Sequence, residues 1–173
     1  IGYPLTHSFS KDYFTNKFQQ EYITDAVYLN FEIKDVSAFP TLIKSQPNLQ
    51  GLNVTIPYKE DVIPYLDELD EAAQTIGAVN TIKISSGKLM GYNTDYIGVM
   101  RSIIPLLKTQ HTKALVLGTG GASKAVLYAL KLLNIESVLV SRNPIDGQLS
   151  YADIDAAILN NYTLVINTTP LGM

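Results

Sequence analysis

Ala114-Leu115-Val116-Leu117-Gly118-Thr119-Gly120-Gly121-Ala122-Ser123 is the stretch that decides the fold. Its four apolar residues read as a buried strand. The glycine turn follows that strand and opens a helix reaching Leu133, the context in which such a turn carries meaning. Further on, residues 137–141 and 164–167 read as two more strands separated by a linking segment. Strand, turn, helix, strand, link, strand is the first half of a doubly wound, Rossmann-like nucleotide-binding sheet.

Upstream of that sheet the patterns also alternate, which predicts an α/β architecture throughout. Ser10 is placed to cap a helix over 11–20 whose inner face carries Tyr13, Phe14 and Phe18. Residues 27–31 read as a strand, and 36–45 as a helix interrupted by Pro40. A short strand spans 52–55, and Pro57 stands where the next helix would begin. Helical stretches follow over 59–66 and 70–76. Residues 79–84 and 88–91 flank Ser85-Ser86-Gly87 as a hairpin. An apolar-rich helix over 96–107 then leads into a polar connection over 108–112. The expected division is a substrate-binding and catalytic domain over 1–107 and half of a nucleotide-binding domain over 108–173.

The glycine turn lets the backbone approach a pyrophosphate, whose charge is favoured at a helix N-terminus. It is not a full G-x-G-x-x-G, because Ser123 holds the third glycine position, where a small residue still allows close packing. At the end of the second strand, where an acidic residue would accept bonds from a ribose 2′-hydroxyl, the chain has Val140-Ser141-Arg142-Asn143. Arg142 pairs with a 2′-phosphate through its planar fork, which selects NADP; the alternative is a surface arginine. Lys124 either adds positive potential near the phosphates or is a solvated helix lysine.

Composition narrows the choices. With 173 residues, 46% hydrophobic content and no cysteine, the chain has a real core without disulfides, thiol nucleophiles or cysteine-bound zinc. Two separated histidines, His7 and His111, argue against a metal cluster, and a net charge of -3 argues against nucleic-acid binding. No apolar run reaches membrane-span length and no signal-peptide pattern is present, so a cytoplasmic protein is expected. The chain starts at Ile1 inside a strand and stops after another, which reads as part of a longer protein.

Polar motifs gather at element ends, where sites are usually built. Ser8 and Ser10 in His7-Ser8-Phe9-Ser10 either donate to a carboxylate or cap the next helix; locally Ser10 favours capping and Ser8 is open. Asn53 and Thr55 alternate with Val54 and Ile56, so their side chains share one strand face. Together with Asn80 they suit a polyhydroxylated ring. Lys59 and Asp95 make chemical sense as a pair: hydride reduction of a ketone leaves an alkoxide that needs a proton, and a carboxylate keeps a lysine protonated. The alternative is a surface ion pair.

These residues resemble the shikimate dehydrogenase family. The shared segments are His7-Ser8-x-Ser10, Asn53-Val54-Thr55-Ile56-Pro57-x-Lys59, Gly77-Ala78-Val79-Asn80-Thr81, Asn93-Thr94-Asp95, Gly118-x-Gly120-Gly121-Ala122 and Asn167-Thr168-Thr169-Pro170. They occur in the family's order. The resemblance implies NADPH-dependent, reversible reduction of 3-dehydroshikimate to shikimate, in the pathway to aromatic amino acids. It implies Ser8 and Ser10 on the substrate carboxylate and Asn53, Thr55, Asn80 and Asp95 on the ring hydroxyls. Lys59 would be the acid/base with Asp95 as partner. Gly118, Thr119, Gly120, Gly121 and Ala122 would cradle the pyrophosphate, Arg142 would take the 2′-phosphate, and Glu71 would approach the cofactor. Lys11 replaces a frequent proline, and Ser141-Arg142-Asn143 departs from asparagine-arginine-threonine. The family continues beyond Met173 with a helix that supplies a substrate-binding glutamine. Competing readings are an NAD-using quinate/shikimate dehydrogenase and a non-catalytic ligand binder.

Overall fold

The computed structural model describes every residue except His7, Gly172 and Met173. The histidine of the serine motif and the last two residues therefore lie outside the described residues. By packing, the chain divides into Ile1–Glu68 with Val79–Gly91, and Leu69–Ala78 with Tyr92–Met173.

In the first unit, helix α1 covers Phe9–Gln20. The serine roles differ from expectation: Ser8 holds the N-cap position without a side-chain capping bond, and Ser10 lies in the first turn. The cause is a backbone turn in which the Ser8 N–H donates to the Leu5 carbonyl at 3.1 Å, so the helix starts directly after it. Phe14 and Phe18 are half-buried, and Phe14 stacks on Tyr28 with centroids 4.9 Å apart and planes 10° from parallel. Tyr13, 48% exposed, lies off that inner face.

Residues 27–31 form no regular strand. Their neighbourhood holds one parallel bridge, Gly2 with Glu32, and a groove of about 410 Å³ lies between residues 25–31 and Gly51–Asn53. Alternating apolar residues favour an extended chain, but a strand exists only where a neighbour takes its hydrogen bonds. Further on, Val36–Ala38 makes a 3₁₀ turn and α2 covers Phe39–Ser45. Pro40 falls in the first turn of α2, where its missing N–H costs nothing, so it opens the helix rather than interrupting it.

Strand β1, Gly51–Asn53, runs antiparallel to β3, Thr81–Ser85, with Leu52 opposite Ile82. It is shorter than expected because the Thr55 N–H turns to the Ile1 carbonyl at 2.9 Å. No helix begins at Pro57. The Lys59 carbonyl accepts from the Val79 N–H at 2.7 Å, and residue 63 does not bond back to it as a helix would require. Ile63 instead donates to the Glu60 carbonyl at 3.1 Å, and a 3₁₀ turn forms over Ile63–Tyr65. Strand β2, Glu68–Leu69, was not foreseen, while β4, Lys88–Tyr92, closes the expected hairpin. Ser86 and Gly87 between β3 and β4 have φ of 50° and 78°, the left-handed pair such a turn requires. The sheet order is β1-β3-β4-β2.

In the second unit, α3 covers Glu71–Ile76, with the Asp70 carboxylate accepting from the Ala73 N–H at 2.7 Å. Helix α4 covers Asp95–Ile103 and ends in a 3₁₀ turn over Ile104–Leu106, since Pro105 has no N–H to continue the ladder. Then come β5 (Lys113–Leu117), α5 (Gly121–Leu132), β6 (Glu136–Ser141), β7 (Leu149–Ser150), α6 (Ala156–Asn161) and β8 (Leu164–Asn167). The last two-residue strand and short helix, β7 and α6, fill what reads in sequence as a link.

This sheet is parallel in the order β7-β6-β5-β8, as the doubly wound reading requires. Ala114, Leu115 and Val116 of β5 have no exposed surface. Ala114 and Val116 pack with Val126, Leu130 and Ile135, and Val99 and Ile103 of α4 close over them. Among the described residues, no helix is long and apolar enough to cross a membrane.

Truncating Leu130, which is fully buried, to alanine should cost about 2–5 kcal/mol in urea unfolding. The same change at Leu132, 48% exposed, should cost less than about 1 kcal/mol. Equal losses would contradict this placement of α5.

Candidate functional site

Each unit carries its own part of the predicted residue set. In the first unit, burial alternates along residues 52–55: Leu52 and Val54 are buried, whereas Asn53 and Thr55 are exposed. The shared face read from the sequence is thus present up to Thr55. Ile56, 73% exposed, breaks the alternation because the chain has already left β1.

Lys59 is half-buried at the end of a firmly held turn. Beneath it Tyr58, 4% exposed, donates its hydroxyl to the Ile33 carbonyl at 2.7 Å. Burial, and then the Asp35 carboxylate, raise the Tyr58 phenol above its ordinary value, so it stays a donor. The backbone bond from Val79 to Lys59 joins this turn to Asn80, which is buried. Asn80 gives its carbonyl to the Val54 N–H at 2.8 Å, and its side-chain oxygen accepts from the Thr81 hydroxyl at 3.1 Å. Thr55, Lys59 and Asn80 are therefore linked through neighbouring backbone bonds.

Two residues outside the predicted set join this region. The Tyr28 hydroxyl donates to Asn53 Oδ1 at 3.0 Å, and the Ser8 hydroxyl donates to Asn30 Oδ1 at 3.4 Å. Burial raises the Tyr28 phenol, and a hydrogen bond from Ser10 partly opposes that. Local motif reading misses Tyr28 and Asn30 because they stand 25 and 22 residues from their partners.

In the second unit, Asp95 opens α4. It is set there by Asn93, 2% exposed, whose Oδ1 accepts from the Asp95 N–H at 3.0 Å. Asn93 Nδ2 donates to the Ala78 carbonyl at 2.9 Å. The Asn-x-Asp spacing is the signal for this turn, since an asparagine oxygen reaches the backbone two residues on. Glu71 is exposed in the first turn of α3. Its carboxylate is the second cause, after burial, of a raised Tyr128 phenol, and Tyr128 meets Tyr96 edge-on at 5.0 Å.

The glycine turn is tight and tied to both neighbouring strands. Gly118 has φ of 104°, and an added Cβ would stand 3.0 Å from both Thr168 Oγ1 and Thr169 Cγ2. Its N–H donates to the Val140 carbonyl at 2.9 Å, tying the turn to the end of β6. Above Gly120 and Gly121 an added Cβ would meet nothing within 4 Å. Thr119 and Ala122 are exposed beside that space. Ser123 is buried, and its hydroxyl donates to the Gly120 carbonyl at 2.6 Å, which explains a serine at the third glycine position. Thr168 donates its hydroxyl to the Leu117 carbonyl at 2.7 Å, so Asn167-Thr168-Thr169 buttresses the turn.

At the end of β6, Arg142 is exposed and the Ser141 hydroxyl accepts from the Asn143 N–H at 3.1 Å. The start of α5 thus has open space above two glycines, and Arg142 follows β6 with its side chain exposed. Among the described residues, no group of three histidine, aspartate or glutamate side chains is placed to hold a metal ion.

The family model for the shikimate dehydrogenase substrate binding domain matches residues 1–82. A curated shikimate dehydrogenase (NADP(+)) of Methanosphaera stadtmanae is 37% identical, matching 100% of this chain and 67% of its own length. The crystal structure of shikimate dehydrogenase from Aquifex aeolicus superposes with a TM-score of 0.86 at 35% identity, over 99% of this chain and 68% of that one. A Thermus thermophilus shikimate 5-dehydrogenase in complex with NADP(H) and shikimate gives 0.74 at 28% identity, over 97% and 66%. The chain thus spans about two thirds of the length of these proteins.

Replacing Asn93 by alanine removes two bonds at the start of α4, one of them to the Ala78 carbonyl. The expected loss is about 1–3 kcal/mol in chemical denaturation. A change below about 0.5 kcal/mol would mean that the turn is held by something else.

Proposed function

The chain belongs to the shikimate dehydrogenase family, and from that premise we propose that it carries the substrate side and half of the cofactor side of an NADP-dependent shikimate dehydrogenase. The observation that carries this reading is similarity over the whole chain to enzymes so named, in both sequence and structure. The reaction is the reversible reduction of the 3-dehydroshikimate ketone to the shikimate hydroxyl, in the pathway to aromatic amino acids. A bound nicotinamide supplies the hydride, and the chain's own residues supply binding and the proton.

Functionally we assign residues 1–107 to substrate binding and catalysis and 108–173 to the first half of the NADP-binding domain. Ser8 and Ser10 take the substrate carboxylate. Asn53, Thr55, Asn80 and Asp95 take the ring hydroxyls. Lys59 gives the proton to the alkoxide oxygen and removes it in the reverse direction, with Asp95 as its partner. Gly118, Thr119, Gly120, Gly121 and Ala122 hold the pyrophosphate, Arg142 the 2′-phosphate, and Glu71 approaches the cofactor. Both partners are small molecules, without nucleic acid or membrane, and the place of work is the cytoplasm.

The support for Lys59 is its rigid seat, with Tyr58 anchored beneath it and its own carbonyl engaged by Val79. A proton donor contributes only if it is held where charge develops. The support for Arg142 is its place directly after β6, the strand whose Val140 carbonyl bonds the glycine turn. An arginine fork matches a phosphate, and no acidic residue stands in the run Val140-Ser141-Arg142-Asn143 to repel it.

Shikimate-dependent reduction of NADP, followed at 340 nm in the full-length enzyme, tests the activity. Lys59→Ala should lower kcat by roughly 10²–10⁴-fold and leave KM for shikimate within a few-fold. A large rise in KM with kcat intact would remove the acid/base role. Arg142→Ala should raise KM for NADP by about 10–100-fold and leave KM for NAD almost unchanged. Equal losses with the two cofactors would remove the phosphate role.

A further inference from the structure

Tyr28 stands in no motif, yet its hydroxyl lies between two residues of the proposed substrate set. It donates to Asn53 Oδ1 at 3.0 Å, and Ser10 hydrogen-bonds to it from α1. Its ring is fixed by stacking on Phe14, at 4.9 Å and 10°. Phe14 belongs to α1, the same helix that carries Ser10 in its first turn. One aromatic stack thus sets the position of the phenol relative to both neighbours.

The direction of the bond to Asn53 has a chemical consequence. An asparagine amide is a two-ended group, with an oxygen that accepts and an NH₂ that donates. A phenol has one proton, and here it goes to Asn53 Oδ1. The amide is therefore held with its oxygen turned to Tyr28 and both Nδ2 protons left for other acceptors. Asn53 is exposed on the same face as Thr55, so those protons are offered outward. Without the phenol, nothing holds the amide in this orientation, and it can turn its oxygen outward in place of NH₂.

Resting on the assignment of Asn53 to the ring hydroxyls, we propose that Tyr28 is a positioning residue of the substrate site. It fixes the Asn53 amide as a hydrogen-bond donor to a ligand oxygen and does not itself touch the ligand. Ser10 shares the same phenol, so the carboxylate side and the ring side of the site are joined through one hydroxyl.

The test is a double-variant cycle in the full-length enzyme, measuring shikimate KM and kcat at saturating NADP. Tyr28→Phe keeps the ring on Phe14 and removes only the hydroxyl. Alone it should raise KM for shikimate about three- to tenfold, the scale of one neutral hydrogen bond, with kcat and KM for NADP within twofold. In an Asn53→Ala background the same change should shift KM by less than twofold. An equal rise in both backgrounds overturns the proposal, as does no rise in either while Asn53→Ala itself weakens shikimate. If Asn53→Ala leaves shikimate KM unchanged, the underlying assignment of Asn53 fails and the proposal fails with it. Should Tyr28→Phe not fold, 3,5-difluorotyrosine at position 28 keeps ring and stack while its phenol ionises at lower pH. Shikimate KM should then rise with pH as the donor is lost, and only with Asn53 present; a flat profile overturns the proposal.

Discussion

Strand β5 is bonded along both edges, to β6 and to β8, and much of it is closed off from water. That constraint fixes what can meet at its carboxyl end. Parallel pairing aligns Leu117 with Val140 on one side and with Asn167 on the other. The glycine turn, the Arg142 run and the Asn167-Thr168-Thr169 run therefore converge there, although up to 51 residues separate bonded partners. The left-handed Gly118 is the residue that tolerates this convergence, with two threonine side chains within 3.0 Å of where a Cβ would stand. Ligands of doubly wound sheets bind outside the carboxyl ends of the strands for this reason.

The first unit is organised by a different economy of hydrogen bonds. Here the Lys59 carbonyl accepts from Val79 across the unit, and the next backbone bonds follow a tighter pattern than an α-helix. The run after Pro57 consequently becomes a sequence of turns, and a lysine with helical neighbours is held at a bend. Tyr58, buried and bonded to Ile33, prevents that bend from moving outward. The candidate acid/base owes its seat to backbone bonding and to one phenol rather than to its own motif.

Local chemistry was legible wherever one short segment contains its own reason. Ser86-Gly87 reads as a tight turn because two left-handed residues are needed, and both are found so. The helical stretch over 70–76 is found as α3, which the structure shows capped by Asp70 and closed by Gly77. The parallel sheet was legible because strands with three or four successive apolar residues alternate with a helix. Three readings failed for one shared reason. Ser10 as cap, residues 27–31 as a strand and a helix after Pro57 each depended on which backbone group outside the segment would take a bond. Propensity describes a segment alone, whereas Leu5, Gly2 and Val79 decided these cases.

The sequence by itself determined the order of the polar motifs, the glycine turn, the arginine beyond the second strand and the family they belong to. Those follow from residue type and spacing, which the chain carries wherever it folds. Tertiary structure alone decided that Ser8 precedes α1, that Pro40 opens α2 and that Asn93 ties the start of α4 to the Ala78 carbonyl. It also decided that Tyr28 turns the Asn53 amide. Each of these is a choice of hydrogen-bond partner, and a donor's partner is set by what packing brings within about 3 Å of it, which no local pattern encodes.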